Sequence, residues 1–276
     1  MKNKTIKDHS SSQEIFQIIY NKELQCYQTI PVPENIGSYY ASENYISHTD
    51  SRHSFTDKIY QFVKKINLST KTNLIKKYTN TSPTLLDIGA GTGDFVNYCQ
   101  QKNWNAYGIE PNPKARQLAQ NKGCKIVSDY AELPKQQYDV ITLWHVLEHI
   151  PNPENELEKI KSLLKPEGII IIAVPNFRSW DARHYREFWA AWDIPRHLWH
   201  FSKSSISYFA KKINCKIETI KPMWFDAFYV SLLSEKYKYG KSRMVSAFIN
   251  GIRSNCYGML KNEFSSHIFV LKNNKN

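Results

Sequence analysis

Apolar and polar positions along the chain alternate between two periods. Leu85, Leu86 and Ile88 form a short apolar run suited to a strand buried on both faces. Similar runs recur at 106–110 (AYGIE), 125–129 (KIVSD), 138–144 (YDVITLW) and 169–174 (IIIIAV). Between them the spacing turns helical. Phe55, Ile59, Phe62, Val63 and Ile66 mark one face of a helix over 55–78. Pro111, Asn112 and Pro113 open a helix through Leu118. Asn152-Pro153 opens another, with Leu157, Ile160, Leu163 and Leu164 on its apolar face, and Pro166-Glu167-Gly168 stops it. Strands alternating with helices predict an α/β fold with a parallel sheet. Two further strands are expected at 216–224 and 266–272. Residues 177–210, which lack a clean period, and 225–262 read as helical insertions.

Residues 1–50 precede this series and read as a small N-terminal module. Glu14–Tyr20 has strand-like content and Tyr27–Val32 could pair with it, before Pro31 and Pro33 break the regularity. The connecting stretch 37–53 is dense in Tyr and His. The main domain is expected over 51–276.

Composition bounds the class. A chain of 276 residues with 41% hydrophobic and 13% aromatic residues supports one large domain with additions. No stretch reaches the length of a membrane span, because the longest apolar run, Trp224–Leu233, is interrupted by Asp226 and Ser231. The polar opening MKNKTIKDHSSSQE lacks the apolar middle of a signal peptide. Cys26, Cys99, Cys124, Cys215 and Cys256 show no paired spacing and fit reduced thiols, so a cytoplasmic location is expected. The net charge of +12 suits an anionic partner such as RNA. The lysines are mostly dispersed pairs, however. Only Lys236–Arg243 interleaves basic and aromatic residues, and it reads as solvated surface.

The chemistry concentrates in TLLDIGAGTGD, residues 84–94. A buried strand runs directly into Gly89-Ala90-Gly91-Thr92-Gly93, so a ligand should lie outside the strand's carboxyl end. A dinucleotide fingerprint would read G-x-G-x-x-G. Here the spacing is G-x-G-x-G with Asp94 at the helix entry, which would repel a pyrophosphate but suit an amino group. Glu110 stands about 20 residues beyond the first glycine, where a carboxylate can accept ribose hydroxyls.

These segments, with the series LEHI, proline, helix, LLKPEG and strand, resemble the class I S-adenosylmethionine-dependent methyltransferases over roughly residues 84–220. The PRHLWHFS piece resembles the ubiquinone-biosynthesis-like branch. The resemblance implies a Rossmann-like seven-stranded sheet flanked by helices, its last two strands an antiparallel hairpin, with a small N-terminal module. It implies a cofactor site formed by Asp87, Gly89, Ala90, Gly91, Gly93, Glu110, Pro111, Asp129, Tyr130, Trp144 and His145. Tyr40 and Tyr45, with Tyr39 and His48, are expected to close over it as a lid. Related enzymes carry a zinc-ribbon-like module ahead of the domain. Cys26 alone could not supply four ligands, so this module must hold by packing.

The expected reaction is methyl transfer to a small-molecule acceptor through oxygen, releasing S-adenosylhomocysteine. The alternatives are an RNA methyltransferase or a non-catalytic cofactor-binding scaffold. His145, His197 and His200 are the candidate catalytic bases, because a hydroxyl nucleophile must lose a proton. His197 and His200, three apart, would share one face of a helical turn. His145-Val-Leu-Glu148-His149 also matches the H-x-x-E-H motif of zinc peptidases, but it follows a buried strand and is closed by Pro151. The resemblance implies a divalent cation at an E-x-x-E-H constellation. His145 replaces the first acid, so no metal is expected; Glu148 and His149 are read as fixing the loop by hydrogen bonds.

Overall fold

The structure is a computed structural model that describes residues 3–40, 55–79 and 81–274; the described side chains exclude Ser38, Tyr40 and 55–62. Strands β1 (Lys4–Lys7), β2 (Ile15–Asn21) and β3 (Cys26–Ile30) come first, followed by α1 (Phe55–Ile75). Strand and helix then alternate through β4 (Thr84–Ile88), α2 (Asp94–Gln100), β5 (Asn105–Ile109), α3 (Pro113–Asn121), β6 (Ile126–Val127), β7 (Tyr138–Trp144), α4 (Pro153–Ser162) and β8 (Leu164–Pro175). Beyond them lie α5 (Trp180–Tyr185), β9 (Trp199–His200), α6 (Lys203–Lys212), β10 (Cys215–Pro222), α7 (Asp226–Tyr239), α8 (Met244–Lys261) and β11 (Ser266–Asn273).

The larger sheet has seven strands in the order β10-β11-β8-β7-β4-β5-β6. Strands β4 to β8 pair in parallel, whereas β11 runs antiparallel between β8 and β10. This is the expected α/β sheet with its terminal hairpin. The apolar runs explain it. Leu85 and Leu86 point to opposite faces and both are fully buried, as are Ile169 to Ala173 in β8. One face packs with Leu86, Ile141, Ile170 and Ile172, and the other with Leu85, Val140, Ile169 and Ile171. Helices start where the caps predict: the side chains of Asn112 and Asn152 accept backbone N–H groups at the first turns of α3 and α4.

Strand β6 is shorter than expected. The Asp129 carboxylate accepts the Ala131 N–H at 2.7 Å and starts a 3-10 turn, which ends the pairing.

The N-terminal strands form a second, four-stranded sheet in the order β1-β2-β3-β9. Its fourth strand comes from the insertion, with Tyr27 opposite His200 and Gln28 opposite Trp199. The Thr29 hydroxyl donates to the His197 carbonyl at 2.6 Å. A third core joins Phe16, Ile18 and Tyr27 to Tyr185, Trp189 and Trp192 of the insertion. Buried aromatics of this size dominate such interfaces. The irregular 177–210 segment is thus patterned for two sheets at once, which is why it shows no single period. It also corrects one expectation: His200 lies in an extended strand rather than sharing a helical turn with His197.

Two buried histidines contribute to the acid sensitivity of the fold. Burial lowers the pKa of His267 to about 4 and that of His200 well below the ordinary value. The unfolded chain therefore takes up protons that the folded chain refuses. The His267 contribution is present above pH 6.5 and is lost as pH falls toward about 4, at roughly 1.4 kcal/mol per pH unit, and His200 acts in the same direction. Urea midpoints should fall steadily across this window, and His267→Asn should flatten the slope. An unchanged slope in that variant would remove His267 from the account.

Candidate cofactor and acceptor site

The glycine turn after β4 is built from backbone that other residues rarely adopt. Gly89, Gly91 and Gly93 have φ of +67°, +55° and +77°. A Cβ on Gly93 would sit 2.6 Å from the Ala119 Cβ and 2.9 Å from the Cys124 Sγ. At Gly91 a Cβ would meet nothing within 4 Å among the described residues, so the turn opens away from them there. The Ala90 N–H donates to the Ile109 carbonyl at 2.9 Å, tying the turn to β5. Glu110 completes the link. One carboxylate oxygen accepts the Gly91 N–H and the other the Asn112 N–H, both at 2.8 Å. Each oxygen keeps a lone pair for a ligand hydroxyl.

A cavity of about 310 Å³ opens beside this turn. Asp87, Gly89, Ala90 and Trp144 line it, as the sequence suggested, and so do Lys64, Lys71 and Phe95. The Lys71 Nζ lies 4.1 Å from the Trp144 ring centroid and 5.4 Å from that of Phe95. Burial lowers Lys71 to about 8, against the pull of Asp87 and Asp226. Burial likewise raises Asp87 to about 7, although the Thr142 hydroxyl donates to it at 2.6 Å. The two groups therefore hold each other in a wall of low polarity. Lys71 was not among the residues picked from sequence. Its signal was a lysine between Leu68 and Leu74, on the side of α1 that packs inward.

Asp94 does not face the cavity as a bare acid. Lys64 and Lys122 approach its carboxylate at 2.6 and 3.1 Å; burial pushes its pKa up, but these cations hold it below the usual range. At the far end, Asp129 is exposed at the mouth of its 3-10 turn. The Tyr130 hydroxyl donates to Glu156, and Lys159 sits 3.7 Å above its ring. Pro111 is exposed directly after Glu110. Tyr39 bonds Glu14 and packs edge-on to Phe16, so it belongs to the N-terminal sheet. The backbone of Tyr40 ends a 3-10 helix begun at Ile36. The Tyr40 side chain, Tyr45 and His48 lie outside the described residues.

Past β7 the chain turns at His145, whose φ is +56°. Its Nδ1 is 3.2 Å from Glu148 Oε1 and its Nε2 is 3.0 Å from Asp226 Oδ2. Burial opposes its charge, but the two carboxylates outweigh that and raise its pKa to about 10. Both ring nitrogens donate, so neither can accept a proton in this arrangement. Asp226, the first residue of α7, has no signal in the local sequence.

Glu148 is only 1% exposed, and among the described residues its Oε2 has no hydrogen-bond partner. Ligand atoms of Glu148, His149 and His197 lie within 4.8 Å of one another. His149 Nδ1 donates to the Arg196 carbonyl and His197 Nδ1 to the Ala191 carbonyl, both at 2.9 Å. A buried carboxylate oxygen beside two imidazoles anchored through Nδ1 fits a divalent cation. His197 from the insertion, rather than His145, completes this set. His200 lies apart: its Nε2 is 3.0 Å from the Thr29 hydroxyl, at the junction of β3 and β9.

A mixed seven-stranded sheet, parallel from β4 to β8 and closed by an antiparallel hairpin, with a left-handed glycine turn on one strand end and a carboxylate clamped to it from the next, is the class I S-adenosylmethionine-dependent methyltransferase fold. The chain belongs to the methyltransferase-domain family, whose model matches residues 61–220. Among curated relatives, the ubiquinone biosynthesis O-methyltransferase of Actinobacillus pleuropneumoniae serotype 7 is 30% identical over 106 residues, covering 33% of this chain and 45% of the relative. That of Histophilus somni is 28% identical over 131 residues, covering 40% of this chain and 54% of the relative. The chain thus spans about half the length of the curated relatives it matches. Magnesium protoporphyrin IX methyltransferase from Synechocystis PCC 6803, solved with bound S-adenosylmethionine, shares the fold with a TM-score of 0.53 at 13% identity, covering 86% of this chain and 94% of that one. Coclaurine N-methyltransferase, bound to N-methylheliamine and S-adenosylhomocysteine, gives 0.54 at 14% identity, covering 82% and 75%.

The glycines separate by mutation. Gly91→Ala should cost only the left-handed conformation, about 1–2 kcal/mol. Gly93→Ala adds overlap with Ala119 and Cys124 and should cost about 1–3 kcal/mol more. Thermal melts of the two variants should rank in that order; equal losses would contradict this packing.

Proposed function

We propose that this chain transfers the methyl group of S-adenosylmethionine to the oxygen of a small, apolar or aromatic acceptor. The Glu110 clamp carries the reading, because it binds the glycine turn to the neighbouring strand end beside a cavity of suitable size. The ribose would lie on Glu110, with Pro111, Asp129 and Tyr130 toward the adenine. Gly89 to Gly93, Asp87 and Lys71 would meet the amino-acid end, where the buried Lys71 cation suits a carboxylate. Trp144 and His145 would border the methyl group. Residues 51–276 would act as the catalytic unit, with 37–53 as its lid.

Methyl transfer from a sulfonium depends mainly on in-line placement. The acceptor oxygen attacks the methyl carbon, the carbon–sulfur bond breaks, and the acceptor's proton must leave. His145, directly after Trp144 in the cavity wall, would be the base. His145 can accept a proton only after releasing Asp226 or Glu148, so acceptor binding and that release would be linked. His200 would position the insertion. Glu148, His149 and His197 would hold a divalent cation, and such an ion supplies Lewis acidity toward an acceptor oxygen when bound. The names of the curated relatives support oxygen as the reacting atom, and the apolar rings of Trp144 and Phe95 in the cavity wall support an apolar or aromatic acceptor.

Glu110→Ala should weaken S-adenosylhomocysteine binding by about 1.5–3 kcal/mol in calorimetry. Unchanged affinity would sink the cofactor assignment. Asp226→Asn should bring His145 down toward its ordinary pKa and shift the rising limb of turnover with a phenolic acceptor to lower pH. Full activity in His145→Ala, His197→Ala and His200→Ala would leave positioning alone as the mechanism.

A further inference from the structure

Helix α8 is amphipathic in the inverted sense. Its inward positions are Ala247, Asn250, Gly251, Ser254, Asn255 and Gly258, all buried and all small or polar. They seat tightly: a Cβ on Gly251 would lie 2.5 Å from the Phe228 ring, and one on Gly258 would lie 2.4 Å from the Phe264 ring. The inner face is held by hydrogen bonds, from Asn250 to Tyr185 and Glu235 and from Ser254 to Asp181. Its large apolar residues face water. Met244, Val245, Phe248, Ile249, Ile252, Met259 and Leu260 are 42–79% exposed. Their spacing runs as a ridge along the full helix. Single exposed apolar residues are ordinary, but a contiguous ridge marks an interaction surface.

The charge around this ridge is one-sided. Residues 236–262 contain Lys236, Lys238, Lys241, Arg243, Arg253 and Lys261 and no acidic residue. All but the part-buried Lys238 are exposed. Arg243 and Arg253 flank a groove of about 480 Å³ floored by Met244, Val245 and Ile249.

We infer that α8 docks the protein onto an anionic phospholipid bilayer, lying in the interface with its apolar ridge in the lipid and its basic rim on the headgroups. An apolar face edged by lysine and arginine is the pattern of an interfacial helix. No helix among the described residues is long and apolar enough to cross a membrane, so the contact is peripheral. A second copy on this face would set like-charged basic rims against each other. An RNA partner would leave the ridge in water. The docked hairpin also begins at Asp226, which reaches His145, so the bilayer would lie one helix away from the site.

The test is flotation of the whole chain with vesicles of phosphatidylcholine, alone or mixed with phosphatidylglycerol. The mixed vesicles should carry at least about 10-fold more protein, and added salt should reduce it. The double variant Val245→Asp with Leu260→Asp should lose flotation while keeping its melting temperature and S-adenosylhomocysteine affinity, since these are the two most exposed side chains of the ridge, at 75% and 79%. Lys241→Glu with Arg243→Glu should lose it too. Equal recovery with both vesicle types, or full flotation of the aspartate variant, would overturn the inference. So would a dimer in sedimentation equilibrium, or a salt-sensitive RNA shift, abolished by the same aspartates.

Discussion

A carboxylate taken out of water needs cations or hydrogen-bond donors around it, and at Glu148 that need draws several distant stretches of the chain together. Its Oε1 meets His145 at the end of β7, and the other nitrogen of that ring meets Asp226 at the start of α7. The backbone carbonyl of the same residue accepts the Leu198 N–H at 2.8 Å, just before β9. His149, the next residue, is fixed to Arg196. The seven-stranded sheet, the insertion and the α7–α8 hairpin therefore meet around one buried acid. Through β9 the N-terminal sheet is attached to it as well. Burial pushes the Glu148 pKa up, but His145, with lesser help from His197 and His149, holds it below the ordinary value. The acid therefore stays ionised and the arrangement keeps its charge balance.

The central sheet was legible because its signals are local. A strand buried on both faces has to be apolar throughout, and the turn beyond it has to use glycine where φ is positive. Gly89, Gly91, Gly93 and Glu110 follow from these two constraints. Asn112 and Asn152 likewise announce their helices within a few residues. What escaped depends on partners far away in sequence. Asp226 looks like any helix-opening acid until it is seen beside His145. Lys71 looks like a surface lysine unless its place among inward-facing leucines is noticed. The placement of His200 could not be read because β9 is only two residues long and exists solely by pairing with β3.

The insertion resisted pattern reading for a further reason. Its interior is partly polar. Asp181 is fully buried and accepts from Trp189 Nε1, the Ser254 hydroxyl and the Ser265 hydroxyl at 2.7–2.8 Å. Tyr185, Glu235 and Asn250 form a second such group. Where hydrogen bonds rather than apolar contacts hold helices together, hydrophobic periodicity stops reporting which face is inside. In α8 the two are reversed, and a reading by hydrophobicity alone would turn that helix over.

Strand β11 carries a consequence for how the molecule is made. It lies between β8 and β10 rather than at an edge, and Val270 and Leu271 within it are fully buried. A ribosome reaches it after every other strand of that sheet. Until then β8 presents an open edge whose residues 169–173 are entirely apolar, the kind of edge that recruits other chains. A nascent chain paused after α8 would carry the other strands of that sheet and an adhesive flank. The interval between the synthesis of β8 and that of β11 is thus the time for which this edge stays open, a property of strand order rather than of the site.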